Sequence, residues 1–150
     1  METTIQFTTG TATICAFDPD AINHRLNDLD DWWSDPQDEL EEVNKGNVLF
    51  VSLGSDGQYT VHLSCGQQHG APAMVSARLR CPGGSLFVGP GEQVSAGGVG
   101  PNTKTGGMFI QIRPGNYSVA LTRLSPLELE MRVDAIPDEA RNNFDKPLAI

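Results

Sequence analysis

"NVLFVSLGSDGQYTVHLSC" occupies residues 47–65. Two runs rich in Val, Leu and aromatic residues enclose the turn sequence Gly54-Ser55-Asp56-Gly57. Apolar residues recur at every second position, the period of an extended strand whose side chains alternate between two faces. Glycines around Ser-Asp supply the turn chemistry of a tight hairpin. The stretch therefore predicts two strands joined by a hairpin, and it sets the pattern for the rest of the chain.

The same grammar repeats downstream. Residues 73–81 and 85–89 flank Pro82-Gly83-Gly84, and residues 107–113 and 117–124 flank Pro114-Gly115-Asn116. Residues 127–133 alternate cleanly, with Leu127, Leu129, Met131 and Val133 facing one way and Glu128, Glu130 and Arg132 the other. Upstream, residues 3–9 and 11–17 are Thr- and Ile-rich and read as strands. Short strands at this spacing predict a mainly β fold, an antiparallel β-sandwich or a Greek-key or jelly-roll barrel. A chain of 150 residues predicts one domain over 1–150. An internal echo supports paired hairpins. "GQYTVHL" (57–63) and "GNYSVAL" (115–121) share Gly, Tyr, Val and Leu in register, and they hold Tyr59 and Tyr117, the two tyrosines of the chain. Equivalent tyrosines at two turns are expected to close the ends of the sandwich.

A helical insertion, about 19–44, interrupts the β pattern. Asp18-Pro19 and Asp35-Pro36 each combine an N-cap residue with proline at the first helical position. Ile22, Leu26, Leu29 and Trp33 fall on one stripe at helical spacing, which predicts an amphipathic helix over 19–33 lying on the sheets. A second helix over 36–44 would turn Leu40 and Val43 inward and end at Gly46 in a left-handed conformation.

The insertion also carries the charge. Residues 28–42 hold eight carboxylates and no Lys or Arg, whereas the other 135 residues hold eleven acids against ten bases. The chain is a nearly neutral body with one acidic cap. Such a distribution disfavours direct nucleic-acid binding, which wants clustered Lys and Arg, and favours a basic protein partner. The expected partner surface is Asp28, Asp31, Trp32, Asp35, Asp38, Glu39, Glu41 and Glu42, with Trp32 at the rim of the apolar stripe as a partly exposed anchor. In size and charge the chain is similar to small acidic immunity and inhibitor proteins. That likeness implies a non-enzymatic inhibitor of a basic effector such as a nuclease.

Other chemistries fit less well. "GVGPNTKT" (98–105) has the Gly, Lys and Thr of a phosphate-binding loop but Thr103 where its second glycine belongs, and a strand rather than a helix should follow. His62, Cys65, His69 and Cys81 match no common zinc spacing. Counting Asp28 as the first position of a calcium loop puts Trp33 where the turning glycine must be. No G-x-S-x-G elbow is present, and the acids lie on consecutive solvent-facing positions, so no catalytic residue, cofactor or metal is expected. The rival function is a small-ligand or carbohydrate site on the Gly-rich connection 89–107. Three cysteines without a framework spacing suggest free thiols in a reducing compartment, and the N-terminal stretch has neither a cationic start nor a long apolar run. A cytoplasmic protein with no membrane contact is the expectation.

Overall fold

A computed structural model describes residues 1–25, 32–66, 72–94 and 101–150. Among these residues ten strands are present in chain order: β1 (Glu2–Thr9), β2 (Thr13–Phe17), β3 (Leu49–Ser52), β4 (Gly57–Cys65), β5 (Val75–Cys81), β6 (Ser85–Pro90), β7 (Met108–Gln111), β8 (Gly115–Ser125), β9 (Glu128–Ile136) and β10 (Leu148–Ala149). They form two five-stranded sheets of order β1-β4-β9-β8-β5 and β10-β3-β2-β6-β7. The architecture is the β-sandwich that the alternating pattern implies. It is not purely antiparallel, because β4 pairs with β9 and β10 with β3 in parallel.

The turns behave differently from the hairpin expectation. β3 and β4 lie in different sheets, so Gly54–Gly57 is an arch over the sandwich rather than a hairpin. The same holds for the connections from β5 to β6 and from β7 to β8. Alternation fixes which side chains face the core, and each arch keeps that face inward while the backbone changes sheet. Gly84 shows the constraint at one arch: its φ is +75°, and a Cβ there would stand 2.6 Å from the Ile112 carbonyl oxygen. The turn at Ser125–Glu128, by contrast, does join antiparallel neighbours β8 and β9.

Tyr59 and Tyr117 occupy equivalent places. The Tyr59 hydroxyl donates to the Ser55 carbonyl (2.7 Å) and the Tyr117 hydroxyl to the Arg113 carbonyl (2.5 Å), each four residues upstream in the preceding arch. Both rings are buried, so each hydroxyl satisfies a turn carbonyl at the end of the sandwich, in the manner of a tyrosine corner. The internal echo thus marks two arches entering the same sheet.

The two sheets are buried unequally. In β1 only alternate residues, Ile5, Phe7 and Thr9, are buried, the pattern of a sheet with one wet face. β2 is buried at every position, and β6 at all but Ser85. The main core lies between the sheets and includes Phe7, Val61, Leu63, Leu121 and Met131 from one and Ile14, Leu49, Val51 and Leu86 from the other. A second cluster, Cys15, Phe17, Ile22, Trp32, Val43, Phe50 and Phe87, lies on the outer face of the second sheet under the insertion.

The insertion is not the continuous amphipathic helix expected over 19–33. Pro19–Arg25 is a 3-10 turn broken at Ile22 (φ −121°), Trp32–Ser34 is a second 3-10 turn, and Leu26 and Leu29 lie outside the described residues. Tertiary bonds take over the local ladder. Asp18 caps Asp20 N (3.0 Å) while its other oxygen accepts from Gly83 N (2.7 Å), and the Ala21 carbonyl accepts from Arg80 Nη2 (2.9 Å). The second helix, α1 (Pro36–Asn44), has the expected bounds. Its expected end is also found: Gly46 has φ +73°, its N–H donates to Val43 O (3.0 Å), and a Cβ there would collide with the Ala140 carbonyl.

The C-terminal segment straps these layers together. Asn142 accepts from Arg78 N (2.7 Å) and donates to Arg78 O (2.9 Å) and Val43 O (2.8 Å), so one side chain caps the β5 edge and the end of α1. Asn44 and the Phe144 backbone exchange a reciprocal pair of bonds. Replacing Asn142 by Ala removes three bonds at a partly exposed site, and urea denaturation should show a loss of about 2 kcal/mol. A loss within error would mean that the strap contributes nothing to stability.

Candidate functional site

The acidic surface is built on α1. Asp35 caps the helix by accepting from Gln37 N (2.9 Å), and Pro36, Asp38 and Glu39 fill the first turn, where carboxylates meet the positive end of the helix dipole. This local chemistry suits an acidic sequence and offsets part of its self-repulsion.

Glu42 departs from expectation. It is fully buried and faces the sheet rather than a partner. His24 Nε2 lies 2.8 Å from both of its oxygens, Arg25 Nε donates to it at 3.0 Å, and Asn47 Nδ2 donates at 2.7 Å. Burial by itself would raise the Glu42 carboxyl, but the bonds from Asn47, His24 and Arg25 hold it below its ordinary value. Asn47 in turn accepts from Arg80 Nε, which joins this knot to β5.

Trp32 also departs. It is 6% exposed, packed in the outer cluster, and so cannot be an exposed anchor. Instead the Arg25 guanidinium lies over its ring, 4.8 Å from the centroid. Trp33, expected in the apolar stripe, packs at 5.3 Å against Phe50 and is half-buried. The outer face of β2, β3 and β6 is apolar, and both indoles cover it. Continuous apolar runs such as "TICAF" and "LFV" carried that signal, since one-sided strands should alternate.

Arg25 supplies the counter-charge that the run 28–42 lacks. Its Nη2 lies 3.7 Å from Asp38 and 3.8 Å from Glu41, besides the bond to Glu42. Lys45 pairs with Glu41 at 2.7 Å. Asp35 and Glu41 remain exposed, and Asp38 and Glu39 half-exposed. Asp28 and Asp31, together with Asp30 of the calcium reading, lie outside the described residues. Burial pushes the Glu39 carboxyl up to about 7.

The other candidates are dispersed. His62 is exposed and pairs with Glu128 across the sheet (2.9 Å), while Cys81 is buried, its thiol pushed up to about 12 by burial. His69 lies outside the described residues, and among those described no group of three His, Cys, Asp or Glu is placed to hold a metal. In the 89–107 connection, residues 95–100 are outside the described set. Its flanks are tied down: Glu92 accepts from Thr9 Oγ1, Thr11 Oγ1 and Gly10 N, and Gly107 N donates to Gln6 O. Lys104 and Thr105 precede strand β7, not a helix. No helix among the described residues is long and apolar enough to cross a membrane.

A family model matches the chain over residues 1–150. The chain belongs to the family of unknown function DUF6386. Among curated proteins none matches this member of the family. Its sandwich is similar to two solved structures. One, described as "Crocagin biosynthetic gene J", has a TM-score of 0.56 at 14% identity, over 90% of this chain and 98% of the other. The second is ComJ from Bacillus subtilis, an inhibitor of the DNA-degrading activity of NucA. It has a TM-score of 0.53 at 8% identity, over 89% of this chain and 96% of the other. At these identities the likeness establishes the shared fold.

Two outcomes follow from the carboxylates. Glu42→Gln leaves Arg25, His24 and Asn47 facing a neutral amide and should cost about 3 kcal/mol in urea denaturation. The ionised Glu39 is disfavoured by its surroundings, so the folded state binds its proton more tightly than the unfolded chain does. Stability should therefore fall as pH rises from the ordinary carboxylate range through about 7. Glu39→Gln should lose less Tm than the wild type between about pH 5 and about pH 8. Identical Tm slopes would contradict that environment for Glu39.

Proposed function

We propose that the chain is a non-enzymatic inhibitor of the immunity type, which binds a basic effector such as a nuclease through the acidic face of α1. The observation that carries this reading is the placement of Asp35, Asp38 and Glu41 on one capped helix, beside Glu39, whose carboxyl is pushed by burial up to about 7 and which adds only part of a charge. The buried Glu42 anchors that helix from beneath. A carboxylate array speeds encounter with a basic partner and fixes its register. Asp28 and Asp31, close by in sequence, extend the negative charge. Trp32 and Glu42 act as supports for Arg25 and the helix instead of contacting the partner. The likeness to ComJ adds to the reading, because that protein inhibits a DNA-degrading activity on a similar scaffold. One domain over 1–150 and a reducing, cytoplasmic setting complete the proposal; free Cys15, Cys65 and Cys81 suit the latter.

The test couples capture to activity. The immobilised chain is used to retain proteins from the source lysate at low salt, and the bound fraction, eluted with salt, is assayed for DNA degradation. Adding soluble wild-type chain should suppress that activity. The variant Asp35→Asn/Asp38→Asn/Glu41→Gln should suppress it at least about tenfold less well at low salt, with a smaller difference once salt screens exposed charges. A nuclease-free eluate, or equal inhibition by the variant, would reject the proposal.

A further inference from the structure

The protein carries a net charge of −9, yet one cleft in it is cationic. Between the C-terminal end of α1, β5, the start of β8 and the C-terminal strap lies an open cavity of about 440 Å³, lined by Lys45, Asn47, Arg80, Asn116, Ala140 with Arg141, and Glu139. Three cations against one carboxylate line it. Its walls come from four parts of the chain, so no local run of sequence announces it.

Arg80 is the built element. Its Nε donates to Asn47 Oδ1 and its Nη2 to the Ala21 carbonyl (2.9 Å), and its backbone N–H donates to Gly46 O (2.8 Å). These bonds fix the guanidinium plane before any ligand arrives. Among the described residues Arg80 pairs with no carboxylate, although the chain has nineteen. The other two cations pair with exposed carboxylates: Lys45 with Glu41 at 2.7 Å, and Arg141 with Glu139 at 3.6 Å. Exposed pairs of this kind contribute little, so both side chains can turn to an incoming anion. A fixed planar fork with two exposed cations beside it matches the oxygens of a tetrahedral dianion. The Asn47 amide is already engaged with Glu42 and Arg80, and Asn116 Nδ2 donates to the Asp138 carbonyl (3.1 Å), so the cations carry the recognition.

We propose that this cleft is a binding site for a phosphate group, with Arg80 as the preorganised fork and Lys45 and Arg141 closing on it. The volume falls in the range of small-molecule sites, and the polar lining suits an anion rather than an apolar ligand. The group is either free inorganic phosphate or the phosphate of a small ester. The inference does not rest on the inhibitor reading, since the acidic face and the cleft use different side chains.

Isothermal titration of the full chain with inorganic phosphate and, separately, with ribose 5-phosphate decides it, in chloride buffer at matched ionic strength. Saturable one-to-one binding is expected, weakened about tenfold or more in Arg80→Lys and in Arg141→Gln. Equal affinity for the two probes identifies the free anion as the ligand, and tighter binding of the sugar phosphate identifies an ester. Absence of saturable heat with both probes overturns the proposal, as does unweakened binding in either folded variant. Circular dichroism establishes folding. Should Arg80→Lys not fold, Arg141→Gln decides alone, because that side chain is 74% exposed and its loss leaves the core untouched.

Discussion

The buried carboxylate of Glu42 ties α1 to residues 24–25 and, through Asn47, to β5. Glu42 is removed from water, and an unpaired charge there would be untenable. It is met by His24 and Arg25 from the insertion and by Asn47 from the strand approach, while Asn47 passes the connection on to Arg80 of β5. Residues 24–25 and β5, both distant in sequence from α1, are thereby fixed to that helix. Arg25, once placed, covers Trp32 and reaches Asp38 and Glu41. The acidic face, the indole beneath it and the cationic cleft behind it all depend on this one knot.

The knot is possible because the second sheet is apolar on both faces. Cys15, Phe17, Phe50 and Phe87 point away from the main core and would be wet without a cover. Burying such aromatic area is worth roughly 2 kcal/mol per side chain, more than a short helix contributes by its own propensity. The insertion therefore follows the shape of the sheet, winding as 3-10 turns where that seats Ile22 and Trp32. Among the described residues Asp20, Asp35 and Glu41 stay on the outside, whereas Glu42 is buried. The described acids of α1, Asp35, Asp38 and Glu41, lie above this buried apolar cluster.

The reading from residues recovered some of this and missed the rest for identifiable reasons. Period-two alternation marked the strands, and Asp35-Pro36 with Gly46 bounded α1 correctly, because those signals are local. The three hairpins became arches. Whether a Gly-rich turn returns the chain within a sheet or carries it to the other depends on which neighbour completes the ladder. The parallel pairing of β4 with β9 could not be read from either strand. Trp32 is buried because the chain winds there as short 3-10 turns rather than a regular helix, and Glu42, on an α1 with the expected bounds, is buried because His24, Arg25 and Asn47 meet it from other parts of the chain. The unbroken apolar run at Thr13–Phe17 contained the corrective hint, since a strand buried at every position needs a cover on each side.

Composition and local pattern by themselves determined a β-rich chain, its turn positions, one capped helix and the concentration of charge in residues 28–42. Those properties depend on neighbours a few residues apart. Tertiary structure alone decided the order of strands, the burial of Glu42 and Trp32, the neutralising reach of Arg25, and the meeting of Lys45, Arg80 and Arg141 at one cleft. These meetings join groups from different elements, as far apart as Lys45 and Arg141. Packing and desolvation select such meetings, and no period or spacing in the chain encodes them.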